Sequence, residues 1–468
     1  MNTDWYKNMS WLPVTMILCM FGFLKEFRPN EPFITDYLTR GGKNFTIDQV
    51  MKEVYPVGTY SYLATLVLVF LLTDFVRYKP AIILCGLSGT ITYIVIILGN
   101  SIAWMQFLEF TYGLFMSTEV AYYTYIYAKV SKDRYQVVSS YTRGAFLFGR
   151  FASGTVAQLT TSFHILDYHQ LNYLTLAGTT LATCWALFLP PVQKSVYFHR
   201  PETENLNEDS KLKNLPEFFS FDAVCKRSKF SKNIKRAYAY LWRDFVSAFT
   251  NCHVVKWSLW WAFATCGYLQ VISYIQPLWQ TAVDADTEIY NGAVEAVYTI
   301  IGALAVFMVG KLRLNWSTVG EILLSIFSLL EALLLFVSSM NYNIWILYAV
   351  YIVFGVIYHT MITVASFEVA KSLSDDSYGL VFGINTLLAL ALQSLLTFIV
   401  VGDTFFDLGV RTQFKIYSGY FVILGAVFMV MGVYTIGKLS RTGKKFRLCL
   451  QKEASIEVVE DPSYDRPS

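Results

Sequence analysis

Charge is scarce in this chain. Only 15% of its 468 residues are Asp, Glu, Lys or Arg, whereas 55% are hydrophobic and 17% aromatic. That balance excludes an ordinary soluble domain and points to a membrane protein. The formal net charge is +3, which gives no reason to expect nucleic acid as a partner. Cysteine is equally thin. Cys19, Cys85, Cys184, Cys225, Cys252, Cys266 and Cys449 are scattered through the chain, with no metal-ligand spacing and no disulfide-dense block, so they read as packing residues. No Gly-rich Lys-Ser/Thr loop, no His-Glu-x-x-His and no Cys-x-x-Cys occurs. The expectation is therefore neither an enzyme nor an ATP-driven pump, with no catalytic residues, cofactor or metal. The first residues carry one lysine before an apolar run and no small-residue cleavage pattern after it, so no cleaved signal peptide is expected.

What the chain has in abundance is long apolar runs. A span needs about twenty residues to cross the hydrocarbon core, and about twelve stretches qualify. Residues 81–99, 171–191, 258–283, 344–367 and 416–436 contain no Asp, Glu, Lys or Arg. Those near 11–33, 55–75, 104–127, 138–161, 291–310, 318–339 and 378–401 contain isolated polar or charged positions. The partner of the folded chain is a lipid bilayer. A polar stretch from 192 to 250 separates six spans from six, which predicts an N-terminal half at 1–191, a cytoplasmic, partly helical linker at 192–250, a C-terminal half at 251–437 and a tail at 438–468. Two six-span halves imply a transporter of the major facilitator kind, all-α and membrane-embedded, with its substrate near the midplane between the halves.

Basic residues alternate between connections. Arg77 and Lys79, then Lys129, Lys132 and Arg134, then the linker, then Lys311 and Arg313, and finally the tail lie on one side, and the connections near 100, 165 and 341 have none. The positive-inside rule makes that side cytoplasmic, with both termini inside. Asn44 then stands in the first outer loop within Asn44-Phe45-Thr46, a glycosylation sequon. Asp74, Arg77 and Lys79, between the second and third spans, form an acidic-basic motif expected to lock one arrangement of the halves through ion pairs.

One stretch conflicts with its own hydrophobicity. Residues 108–127 read LEFTYGLFMSTEVAYYTYIY, long enough to span yet carrying Glu109 and Glu119. A charged side chain near the bilayer centre costs roughly 2.5–3.5 kcal/mol on insertion scales, so such residues face a partner or a water-filled cavity and mark function. Glu109, Tyr112, Met116 and Glu119 recur at helical spacing on one side. An acidic, aromatic face of this kind suits a cation.

The sequence resembles the reduced folate and thiamine transporters of the major facilitator superfamily, and the thiamine members most. The blocks that carry the likeness are Arg28-Pro29-Asn30-Glu31-Pro32-Phe33, Thr59-Tyr60-Ser61-Tyr62-Leu63, LLTDFVRYKP ending at Pro80, EVAYYTYIY from Glu119, WSLWWAFATCGY from Trp257, IYNGAVEA from Ile289 and LVFGINT from Leu380. The resemblance implies a plasma-membrane carrier of a small vitamin, thiamine or alternatively a reduced folate, working by alternating access. It implies that Glu31, Glu109, Tyr112 and Asn291 line the substrate site, with Glu119 tuning its charge. Folate-carrying relatives have basic residues at the positions of Glu119, Gly355 and Gln393, and this chain has none there. A reversed unit charge at ~4 Å changes a charged ligand's energy by about 4 kcal/mol at an effective dielectric near 20, which favours the thiamine cation over the folate dianion.

Three positions depart from the thiamine pattern. Gly58 stands where those relatives have a tryptophan, Arg150 where they have a tyrosine, and His359 where they have an uncharged residue, leaving His359 open to a part in proton coupling. Arg143 and Arg150 are seven apart on one helical face. Arg143 is placed to pair with Glu119 and Arg150 to stay near the cavity, where an anionic substituent could meet it. Glu31, beside two prolines, has the alternative of an interfacial cap, and Asn291 that of a helix N-cap. Glu295, Glu321 and Glu331 read as partly buried or snorkelling residues rather than a proton relay. A receptor that binds a vitamin without moving it is the reading from another functional class.

Overall fold

The computed structural model describes residues 11–130, 134–192, 229–284, 287–311, 316–373, 378–402 and 408–441. The described chain is helical. In the N-terminal half, α1 (Trp11–Glu26), α2 (Tyr55–Thr73), α3 (Lys79–Leu98), α4 (Ile102–Ser117) with α5 (Glu119–Lys129), α6 (Tyr135–Ser162) and α7 (Tyr168–Ala186) make six crossings. After α8 (Lys229–Phe249) come α9 (Cys252–Gln280), α10 (Asn291–Lys311), α11 (Trp316–Met340), α12 (Ile344–Lys371), α13 (Tyr378–Val400) and α14 (Val410–Arg441), six more. Among the described residues, seven helices are long and apolar enough to span by length and composition alone. Two of the other crossings fall short because their helices are broken.

The first is a break in the opening span. The sequence suggests one run from 11 to 33, but α1 stops at Glu26, because Pro29 and Pro32 supply no backbone N–H and block a continuing helix. The freed backbone needs other partners, since hydrocarbon offers none. Ser153 Oγ accepts from the Arg28 N–H (3.0 Å) and Thr175 Oγ1 from the Asn30 N–H (3.2 Å), while Asn30 Nδ2 donates to Asn172 Oδ1 (3.0 Å). Short turns of helix at Glu31–Phe33, Ile34–Asp36 and Tyr37–Gly41 then carry the chain onward. The second break divides 104–127 at Thr118. Its hydroxyl folds back onto the Leu114 and Phe115 carbonyls (2.9 and 3.0 Å), and Ser117 does the same to Leu114 (2.9 Å), so side-chain bonds compete with the helical ladder there.

Within the halves α2 packs on α4, α1 on α6 and α7, α3 on α4 and α7, α9 on α12 and α13, and α11 on α14. Aromatic residues fill the C-terminal core around Trp257, Trp260, Tyr274 and Trp279, and Phe21, Phe115 and Tyr122 serve the N-terminal half. The halves meet where α6 crosses α10. A methyl group on Gly154 would lie 2.7 Å from the Gly292 carbonyl oxygen, and one on Gly292 2.8 Å from that of Gly154. Two bare residues let the backbones touch, the close approach typical of membrane helix interfaces. α2 and α13 form a second contact between halves, with the Phe70 ring against Gly383.

Polar side chains join the halves at the end where the first span finishes and α9 ends. Gln276 accepts from the Thr35 N–H (3.1 Å) and donates to the Glu31 carbonyl (2.8 Å), and Gln280 donates to Asp36 and Thr39 (2.8 and 2.9 Å). Gln158 of α6 donates to the Ile289 carbonyl (3.1 Å) and accepts from the Ala293 N–H (3.1 Å). Within residues 192–250, Lys229–Phe249 form α8, which packs on α9 and α13. Residues 193–228 and the tail beyond Arg441 lie outside the described residues.

Candidate functional site

The first break lines one cavity of about 270 Å³ between the halves, and the second lies just past Met116, the last residue of its helix to line that cavity. Its walls include Glu26, Arg28 and Glu31 from the broken first span, Gly58 and Tyr62 of α2, Glu109, Tyr112 and Met116 of α4, Arg150 of α6, Tyr268 of α9, Glu295 of α10 and Tyr351 of α12. Four carboxylates stand against two guanidiniums, a formal excess of two negative charges.

Most of these charges are already spent on one another. Glu26 is held by Lys25 Nζ (2.9 Å), Arg28 Nη2 (3.1 Å) and Arg150 Nε (3.4 Å). Arg28 also pairs with Glu31, to which Tyr112 OH donates at 3.1 Å. Lys25 reaches on to Glu119 Oε2 at 2.9 Å and lies over the rings of Phe115 and Phe146. Burying an ion is costly unless a partner compensates it, so a chain of alternating charges is how so many survive in the membrane.

Glu109 is the exception. Among the described residues its carboxylate has neither a hydrogen bond nor an ion pair, and it lies in the cavity beside Gly58. A methyl group at 58 would collide with its Oε2, so glycine is what leaves the carboxylate room. An acceptor left open toward a cavity is a site for a cation or an N–H donor from a ligand.

The structure brings together Glu31, Glu109, Tyr112 and Arg150 in this cavity, as well as Gly58 and Gln393. It places other candidates elsewhere. Glu119 lies behind the wall on Lys25, so the expected pairing with Arg143 does not form; Arg143 makes no ion pair among the described residues. The physical reason is the break at Thr118, which turns Glu119 toward α1 rather than α6. Asn291 is 2% exposed and outside the walls: Nδ2 donates to the Pro32 carbonyl across the halves (2.9 Å), and Oδ1 accepts from Tyr348 (2.8 Å). His359 Nε2 is 3.3 Å from Tyr268 OH, one residue behind the cavity surface. Asp74 accepts from Tyr78, and Lys79 Nζ donates to the Leu187 carbonyl (2.9 Å), which ties that turn to the end of α7. Asn44 is exposed with φ 55°, and Thr46 caps the next short helix.

Glu295 lines the cavity instead of snorkelling, with Tyr351 OH donating to its Oε1 at 2.8 Å. Glu321 pairs with Lys256 and accepts from Thr435 Oγ1 (2.6 Å). Glu331 is fully buried, and neither of its oxygens has a hydrogen-bond partner. Sequence reasoning missed Lys25, Glu26, Arg28, Tyr268 and Tyr351. The first three carried a usable signal: consecutive charges in an apolar run immediately before a proline-rich break.

A profile of the reduced folate carrier family matches residues 9–416. The chain belongs to that family. Human thiamine transporter 1 is 40% identical to this carrier over 94% of the chain and 93% of its own length, and folate transporter 1 of Caenorhabditis elegans is 36% identical over 97% and 99%. Among solved structures the nucleoside transporter NupG superposes with a TM-score of 0.58 over 89% of the carrier and 98% of its own chain, at 16% identity. That likeness establishes the fold, two six-helix halves of the major facilitator type around a central cavity.

Proposed function

We propose that this carrier imports thiamine across the plasma membrane by alternating access, without ATP. The observation that carries the reading is Glu109, an acceptor without a partner among the described residues, in a cavity with an excess of two negative charges. Thiamine is a permanent cation with a second, hydrogen-bonding ring. Folate, a dianion, would meet that excess as repulsion, and the two cavity guanidiniums are already drawn to Glu26. Tyrosine faces at Tyr112, Tyr268 and Tyr351 add cation–π attraction of about 0.5–2 kcal/mol.

With both termini cytoplasmic, the polar contacts between Thr35–Asp36 and Gln276–Gln280 lie on the outer side, and the substrate leaves toward the cytoplasm. Asn291 then serves as an outer latch, Asp74, Arg77 and Lys79 steady the inner turn, Asn44 is open to glycosylation, and Glu119, Arg143 and His359 act on the cavity's field from behind its walls.

A second reading, a folate carrier, is favoured by one feature: Arg150 lines the cavity with only its Nε in an ion pair. Uptake of labelled thiamine and labelled folate, side by side in cells with verified surface expression, decides between them. Thiamine accumulation alone supports the cation reading. Folate accumulation alone overturns it, and binding without accumulation of either points to a receptor.

A further inference from the structure

We infer that Glu295 is a second substrate ligand, contributed by the C-terminal half, and that it accepts from the amino group of the substrate's aminopyrimidine ring. The inference rests on the thiamine reading and deepens it. Glu295 sits on α10 one helical turn past Asn291 and lines the same cavity as Glu109. Its Oε1 accepts from Tyr351 OH, and its Oε2 has no hydrogen-bond partner among the described residues. A carboxylate offers about four acceptor positions. The four cavity carboxylates therefore divide in two. Glu26 is ion-paired with Lys25, Arg28 and Arg150, and Glu31 with Arg28, whereas among the described residues neither Glu109 nor Glu295 has an ion pair.

Those two differ in their neighbours. Arg150 is near enough to Glu295 for each to act electrostatically on the other, whereas among the described residues no basic side chain stands in that relation to Glu109. A permanently charged thiazolium would be repelled by the guanidinium beside Glu295 and not at Glu109. Glu295, its charge offset by Arg150, acts as an acceptor for neutral N–H donors rather than as a counter-ion. The exocyclic amine of an aminopyrimidine is such a donor. Because Glu109 and Glu295 stand on opposite halves, one molecule satisfying both links substrate occupancy to the relative movement of the halves.

The test is competition of unlabelled thiamine and oxythiamine, in which oxygen replaces the exocyclic amine, against labelled thiamine in the full-length carrier. Wild-type protein prefers thiamine by at least about tenfold, because oxythiamine offers the carboxylate a second acceptor where a donor is needed. Glu295→Gln brings the preference to within about twofold, since an amide donates as well as accepts. Glu109→Gln weakens both compounds alike. Glu295→Asp is measured alongside: its shorter carboxylate keeps the preference at lower affinity for both. An unchanged preference in Glu295→Gln, no preference in wild type, or unchanged affinities in Glu295→Asp would overturn the assignment. A wild-type carrier from which thiamine itself displaces nothing overturns the thiamine reading instead.

Discussion

Lys25 Nζ stands 2.9 Å from Glu119 Oε2 and 2.9 Å from Glu26 Oε1, so one ammonium on α1 neutralises a carboxylate beside it and another 94 residues away on α5. Lys25 is 1% exposed. The pair fastens the broken first span to the broken fourth, directly behind the cavity.

Removing that ammonium should be expensive. Lys25→Met leaves the buried Glu26 and the half-buried Glu119 each short of a partner, and breaking a buried pair from one side costs about 3–5 kcal/mol. Thermal unfolding of the purified carrier is expected to fall by several degrees, whereas Arg143→Gln moves it little. Equal effects from the two substitutions would mean that Glu119 is compensated from α6 after all.

Glu109→Gln should lower uptake at least about tenfold at normal surface expression, since a unit charge ~4 Å from a cation is worth about 4 kcal/mol at an effective dielectric near 20. Stability should hold or improve, because the substitution removes a half-buried charge that has no ion-pair partner among the described residues. Uptake at the wild-type level would remove Glu109 from substrate binding.

Gly58→Ala tests position rather than charge. The added methyl group has to displace the Glu109 carboxylate, so the KM for uptake should rise roughly tenfold, about 1.4 kcal/mol. In a Glu109→Gln background the same change should add little, because contacting residues are not additive. Full additivity in this double-mutant cycle would separate the two residues.

Asn291→Ala removes a hydrogen bond to the Pro32 carbonyl and leaves Tyr348 without its acceptor. Each buried bond lost costs about 1–3 kcal/mol. Hydrogen exchange should accelerate at least about tenfold around 32–36 and 276–284, and the balance between the two faces of the cycle should shift. Unchanged exchange there, with weakened substrate binding, would return Asn291 to the substrate site.

The sequence by itself determined the membrane class, the number of crossings, the division into halves and three walls of the cavity: Glu31, Glu109 and Tyr112. These follow from local rules. Hydropathy is read over about twenty residues, and an intramembrane carboxylate announces itself against its own neighbours. Only the tertiary structure decided which ion meets which. Lys25 rather than Arg143 takes Glu119, Glu295 turns inward while Asn291 latches the halves, and Glu331 is sealed in the packing. The physical reason is that each of these outcomes depends on how helices far apart in the sequence are rotated against one another when they pack; for Lys25 and Glu119 that rotation is set beside the breaks at Pro29 and Thr118. A few degrees there choose among partners nearly a hundred residues away, and no local pattern records that choice.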